Sequence, residues 1–229
     1  MPKREKLSYA FIDAANLFYG GERSLGWKMD YAKLFNYLKS TFNVSKVFYY
    51  AGLDTETYKA EEGKKINLDD LVKFLEARLK EPEVTEDLTL QIQRYIQIAK
   101  FYQNLVEIGY TLRIKPVKVF ENDEITVRKA NCDVDLTFDL MRYMSQYSSL
   151  IVLTGDGDFA PILEYLKKKK KNVTIMARWN RTAKEIRKIA GDQFIDFAQL
   201  KLSLRANRPP KAPKQKQQPS KHKQPPALQ

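Results

Sequence analysis

The 229-residue chain carries a formal net charge of +12 and one cysteine, Cys132, which excludes an intrachain disulfide and any multi-cysteine zinc site. Its one histidine, His222, falls near the C-terminal end, so Ser-His-Asp triads, paired-histidine RNA cleavage, HExxH zinc sites and Cys-His nucleophile pairs are excluded from the rest of the chain. No apolar run approaches the roughly 20 residues that cross a bilayer, so a soluble, cytoplasmic protein is expected, whose chemistry rests on carboxylates, lysines, hydroxyls or a bound metal.

The first residues, Met1 to Lys6, lead into a strand rather than a signal-peptide core. Residues 7–13 (LSYAFID) read as a short buried strand that stops at an acid, before Ala14-Ala15-Asn16-Leu17 opens a helix or turn. Asp30 is placed as the N-cap of a helix over 31–42, with Leu34, Phe35 and Leu38 at helical spacing. A second strand is expected over 44–51. Residues 54–108 hold no convincing strand, and two runs of helical apolar spacing make them a long helical crossover. Gly109 ends it, and a third strand covers 110–116. A small hairpin is expected from 117–120 and 124–128, then a helix over about 132–146.

The most strand-like run is SLIVLT over 149–154, followed by a helix over 159–170 and a strand over 172–177. Thr182-Ala183-Lys184-Glu185 matches a capping box for a helix that stops at Gly191, and 194–197 is a last strand. Strands alternating with helices predict an α/β fold, a mostly parallel sheet with helices on both faces. One domain is assigned to residues 1–200 and a basic Pro/Gln/Lys-rich flexible tail to 201–229. Eight of the 40 basic residues and none of the 28 acidic ones fall in that tail, which leaves a net charge of +4 on residues 1–200. The tail suits phosphate backbones, and equally a solubilising or protein-docking role.

In an open parallel sheet, ligands bind beyond the carboxyl ends of the strands, where the topology switches. Asp13 closes the first strand there, and Thr154-Gly155-Asp156-Gly157-Asp158 closes the strongest one, with both glycines read as the means of a sharp strand-to-helix turn. Asp133 stands near a helix start in KANCDVDLTFD, with Asp135 as the fallback ligand; Asp135 and Asp139, four apart, share a face. Gathered carboxylates repel unless a cation neutralises them, and Mg²⁺ or Mn²⁺ prefers such oxygen ligands. Ions of this kind activate water and stabilise the leaving oxygen of a phosphodiester without histidine.

At these residues the sequence resembles the NYN domain, in its LabA-like or DUF88 branch, within the PIN-like nuclease superfamily. The matching pieces are FIDAANLF, KANCDVDLTFDLM, LTGDGDFAPIL and TAKEIRKIAGDQFIDF, spread over roughly residues 7–198. The crossover from about 54 to 95 looks longer than is usual in the family and reads as an extended insertion. The resemblance implies a PIN-like (Rossmann-like) fold and Mg²⁺- or Mn²⁺-dependent ribonuclease activity. Asp13, Asp133, Asp156 and Asp158 would hold metal, Asn16 would orient Asp13 or a water, and Asp139 and Lys129 would stand behind the ligands or be structural. The middle motif departs by one residue from the commoner Lys-Gly-x-Asp spacing, which leaves Asp133 and Asp135 as alternatives.

RNA is the expected partner. Arg178, Trp179, Arg181 and Lys184 follow a strand end on the expected side, with Trp179 either a base-stacking or a packing residue. The run Lys167 to Lys171 reads as a solvated helix end. Ile92, Ile96, Ile98 and Phe101 in the 54–108 region offer a surface for a protein partner or a homo-oligomer. The competing function is an RNA-binding or regulatory module that keeps the acidic pocket without cleaving. An aspartyl phosphatase would carry a second acid two residues after Asp13, where Ala15 stands.

Overall fold

A computed structural model describes residues 7–55, 58, 66–122 and 125–207, with the backbone alone described for the strands between 118 and 129. Most of the basic tail, His222 included, lies outside the described residues. The strands β1 (Ser8–Asp13), β2 (Val44–Leu53), β3 (Thr111–Pro116), β4 (Lys118–Asn122), β5 (Ile125–Lys129), β6 (Ser149–Leu153), β7 (Asn172–Ala177) and β8 (Phe194–Asp196) form two sheets. Six of them pair in parallel in the order β3-β2-β1-β6-β7-β8, and β4 and β5 make an antiparallel hairpin.

The central strand β1 is buried at five consecutive positions, as a parallel strand covered on both faces must be. Its pleat sends Ala10 and Ile12 to one core and Tyr9 and Phe11 to the other. The first core lies under α2 (Tyr31–Phe42), α3 (Leu68–Arg78), α4 (Glu86–Ile108) and α8 (Lys201–Leu204). The second lies under α5 (Asp133–Arg142), α6 (Ala160–Lys168) and α7 (Lys184–Ala190). The remaining short helix, α1 (Arg23–Leu25), continues a π-helical turn over Asn16–Glu22.

Helix boundaries follow local chemistry. The Asp30 carboxylate accepts the Lys33 N–H at 3.0 Å to start α2, and Asn43 ends it in the left-handed region. Thr85 caps α4 through the Leu88 N–H, and Gly109 ends it at φ 116°. The capping box expected at Thr182 does not form. The Thr182 hydroxyl instead donates to the Arg178 carbonyl at 2.8 Å, and α7 begins at Lys184 with no side-chain cap. The lysine run at the end of α6 is not wholly solvated either, because Lys171 Nζ donates to the Tyr147 carbonyl at 2.6 Å and Lys167 Nζ to that of Ile189.

The long crossover is mainly a roof for the sheet. Ile92 and Ile96 of α4 are buried against the first core, at about 2 kcal/mol each for apolar side chains of this size. Among the described residues no helix is long and apolar enough to cross a membrane. Strand order fixes where a ligand can lie: the chain runs from β1 outward through β2 and β3, then returns to β6 on the other side of β1 and continues to β7 and β8. The β1/β6 junction is therefore the switch point, open at its carboxyl edge.

Candidate active site at the carboxyl edge of the sheet

Asp13 ends β1 at this junction, and Thr154 follows β6 beside it. The fully buried Thr154 hydroxyl donates to Asp13 Oδ2 at 3.2 Å and accepts the Asp156 N–H at 3.2 Å, so one side chain ties the two strand ends together. Asp13 Oδ1 accepts the Asn16 N–H at 3.1 Å. Asn16 thus orients Asp13 through its backbone rather than its amide side chain. Asp156 Oδ1 accepts the Asp158 N–H at 3.0 Å and caps the 3₁₀ turn Gly157–Phe159. Asp133 is the first residue of α5, with its N–H held by Asn131 Oδ1 at 2.8 Å.

All four aspartates line one cleft of about 1180 Å³, together with Asn16 and Arg181. Burial pushes the Asp13 carboxyl above its ordinary value of 3.8, and the negative charge of Asp133 adds to the rise, against the hydrogen bonds from Asn16 and Thr154. Ionised Asp13 is therefore uncomfortable as it stands, and a cation in the cleft relieves it. Cys132 lines the same cleft, but burial, with the charge of Asp135, pushes its thiol up to about 11. In the metal-free cleft it stays protonated near neutrality and offers no thiolate nucleophile.

The glycines of the TGDGD turn have a different purpose from the one expected. Neither Gly155 nor Gly157 has a positive φ. A Cβ on Gly155 would stand 2.8 Å from Thr182 Oγ1 and 3.1 Å from Thr182 Cα, and one on Gly157 would stand 3.2 Å from the Ala183 Cβ. Close approach of the turn to the α7 entry requires glycine at 155 and leaves a tight fit for any side chain at 157, and Ala183 N–H donates to the Gly155 carbonyl across that contact.

Helix α5 sends its three acids to three places. Asp133 faces the cleft. Asp135, the fallback ligand, is not among the residues lining it and pairs with Lys115 at 2.7 Å. Asp139 is 3 % exposed and accepts from Arg113 Nε at 2.7 Å and from the Tyr50 hydroxyl at 3.0 Å, which makes it a structural brace. The Lys129 side chain lies outside the described residues.

The four expected RNA contacts also separate. Arg181 lines the cleft. Arg178 is largely buried and fixed to both oxygens of Asp196, at 2.9 and 3.2 Å, so its guanidinium holds β7 to β8 instead of facing a ligand. Trp179 is 45 % exposed, with its edge on Phe194 and Arg187 over its ring at 4.8 Å. Lys184 is exposed at the start of α7 and is not among the cleft residues. Sequence reasoning missed Phe18, Tyr19, Glu22 and Lys28, all of which line the cleft. The signal available was FYGG, two aromatics and two glycines one turn after Asp13.

Among the described residues no three acidic or thiol side chains are grouped tightly enough to hold an ion between them. The donor set nevertheless fits a hard divalent cation in kind: four carboxylates and an amide face one cleft, and two of them, Asp13 and Asp156, form no ion pair among the described residues.

A parallel α/β sheet with four aspartates in a cleft at its switch point defines a class of protein, and the comparisons narrow it. The NYN domain family matches residues 9–201, and the chain belongs to it. It is similar to the Low amplitude and bright protein LabA of Synechococcus elongatus, 27% identical over 196 residues that make up 83% of this chain and 83% of that one. A solved protein of unknown function from Vibrio parahaemolyticus shares the fold at a TM-score of 0.57 and 18% identity, covering 86% of this chain and 96% of the other. The fold is thus the α/β fold of that family, a parallel sheet with helices on both faces.

Proposed function

We propose that the protein is a Mg²⁺- or Mn²⁺-dependent ribonuclease of the cytoplasm, acting on RNA by phosphodiester hydrolysis. The observation that carries the reading is the convergence of Asp13, Asp133, Asp156 and Asp158 on one cleft at the switch point, where Asp13 is pushed toward protonation by burial and by Asp133. These four residues would hold the metal, which when bound supplies Lewis-acid stabilisation and activates water near neutral pH.

The chain's own residues account for the rest. Thr154 fixes the Asp13 carboxylate and the Asp156 backbone in one arrangement, so the oxygens face the cleft before any ligand arrives. Asn16 fixes the other Asp13 oxygen through its N–H. Arg181 and Lys28 supply positive charge in the cleft that holds the four aspartates, which would favour a phosphate there. The folded unit runs past the expected boundary at residue 200, through α8 to the buried Leu204, and would act with the basic chain beyond it as an arm that captures RNA backbones.

The test is cleavage of a mixed RNA pool by the purified protein with Mn²⁺ or Mg²⁺, beside the Asp13→Asn, Asp156→Asn double variant. Metal-dependent cleavage by the parent and a fall of roughly 10³-fold or more in the variant is the expected result, equal to about 4 kcal/mol of transition-state stabilisation. Full activity in the variant overturns the reading. If neither protein cleaves while both bind RNA, the non-cleaving RNA-binding module replaces it.

A further inference from the structure

We infer that Phe18 and Tyr19 form a stacking shelf for an unpaired base, so that the cleft takes RNA in single-stranded form. The inference rests on the ribonuclease reading for the identity of the polymer, and adds the element that selects its conformation.

The shelf begins in the backbone. Residues Asn16–Glu22 form a π-helical turn, in which the Arg23 N–H reaches the Phe18 carbonyl five residues back. Such widened turns are uncommon and concentrate at functional sites. The turn is anchored from below: Leu17 is fully buried in the first core, and Gly21 lies against the Phe197 ring. With its base fixed, the turn presents its two aromatics outward, Phe18 at 47 % and Tyr19 at 57 % exposure. Most rings of this chain are buried or packed in its cores, so this adjacent pair is a placed apolar surface rather than a scattered one.

The two rings meet edge to face, with centroids 5.1 Å apart, and the Arg23 guanidinium lies 5.9 Å from the Tyr19 centroid. They are therefore held in position before a ligand arrives. Both line the cleft that holds the four aspartates, and exposed Lys28 and Arg181 line it too. Aromatic faces beside cations match the alternation of base and phosphate along a strand. The cleft volume of about 1180 Å³ also exceeds the roughly 300–1,000 Å³ usual for small ligands. A base inside a duplex is already stacked on its neighbours, so only an unpaired base can lie on such a shelf. Trp179 is less suited, since it is not among the residues that line the cleft.

The experiment measures binding in the full chain carrying Asp13→Asn, so that cleavage does not intervene. Probes are a short single-stranded RNA with 2-aminopurine, the same sequence as a duplex, and an abasic strand of equal length. The parent background should bind the base-bearing strand roughly tenfold or more tighter than the abasic strand, with quenched 2-aminopurine fluorescence. Adding Phe18→Ala and Tyr19→Ala should remove that preference and the quench while leaving abasic binding in place, and Tyr19→Trp alone should retain both. A parent that binds abasic and base-bearing strands equally overturns the shelf, whatever the variants do. So does a double-alanine variant that binds as the parent does, the result expected if the aromatics instead serve a protein partner. Because binding is read without turnover, a failure of the ribonuclease reading appears in the cleavage assay and a failure of the shelf appears here.

Discussion

Asp13 ends the central strand of the sheet and Asp139 lies on a helix packed against it, both drawn at least partly beneath the surface, and their charges are answered in different ways. Asp139 meets a guanidinium and a phenol, Arg113 Nε at 2.7 Å and Tyr50 at 3.0 Å, both anchored in the second core and the strands beside it. Asp13 meets a hydroxyl and a backbone N–H, with the negative charge of Asp133 nearby. The first arrangement is electrically closed and holds β3 to α5. The second fixes the oxygens without cancelling their charge, which suits a positively charged guest. The difference lies in what surrounds two residues of the same type, and it separates structural from functional acids on this fold.

The largest effect expected from breaking this contrast is at the closed pair. Arg113→Leu leaves Asp139 buried without its cation and should destabilise the protein by about 3 kcal/mol, as loss of one partner of a buried pair does. In thermal unfolding that corresponds to a fall of roughly 10 °C, and Mn²⁺ should not restore it. A loss below about 1 kcal/mol, or recovery with Mn²⁺, would place Asp139 with the cleft acids instead. Next comes Gly155→Ala, whose Cβ meets Thr182 side chain and backbone at 2.8 and 3.1 Å. An overpacking cost of about 2 kcal/mol is expected, with weaker Mn²⁺ binding by calorimetry because the turn carrying Asp156 has to move. A stable variant with unchanged Mn²⁺ affinity would mean that the turn relaxes without moving Asp156.

Thr154→Val should cost less, about 1 kcal/mol for the loss of one hydroxyl that bridges Asp13 and the Asp156 N–H. Its sharper consequence is functional, since the stability change is modest while the two strand ends lose their common tie. A variant that cleaves RNA at the parental rate would show that Asp13 and Asp156 are positioned independently.

The contrast was only half legible in the sequence. The strand end at Asp13 and the one just before the Asp156 turn could be found because buried parallel strands are short apolar runs that stop at turn chemistry, and Asn172–Ala177 is read with its observed bounds. Position along a chain does not reveal cross-sheet partners. Arg178 looks like a rim cation until Asp196, eighteen residues on, is seen to hold it. Nor does spacing reveal that Lys115 from β3 pairs with Asp135, since that contact is tertiary. The glycines of the turn were legible as necessary and misread as to cause, since steric approach by Thr182 is a tertiary fact. Ile98 and Phe101 were seen as apolar, but that they turn from the roof of the sheet into the cleft follows only from how α4 crosses it.

The smallest effect tests the open side of the contrast. Burial raises the Asp13 carboxyl above its ordinary value of 3.8, so the native state binds this proton more readily than the unfolded chain does. The stability it contributes is full below the unfolded value and is lost as pH rises through the raised folded value. Near neutral pH, ionised Asp13 therefore weakens the metal-free fold. Asp13→Asn keeps an oxygen for the Asn16 N–H, its amide can donate to the Thr154 hydroxyl in place of the bond that Oδ2 accepts, and the charge is removed, so it should raise the melting temperature at pH 7 by roughly 2 °C while removing cleavage. The gain should shrink as the pH falls toward about 4, where the parent carboxyl is protonated as well. Mn²⁺ should reverse the order at pH 7, because a ligand that binds only the native parent stabilises it in proportion to the logarithm of its concentration. Melting curves of both proteins across this pH range, with and without Mn²⁺, check the sign directly: a variant that melts below the parent in the absence of metal would mean that Asp13 is already neutralised within the fold.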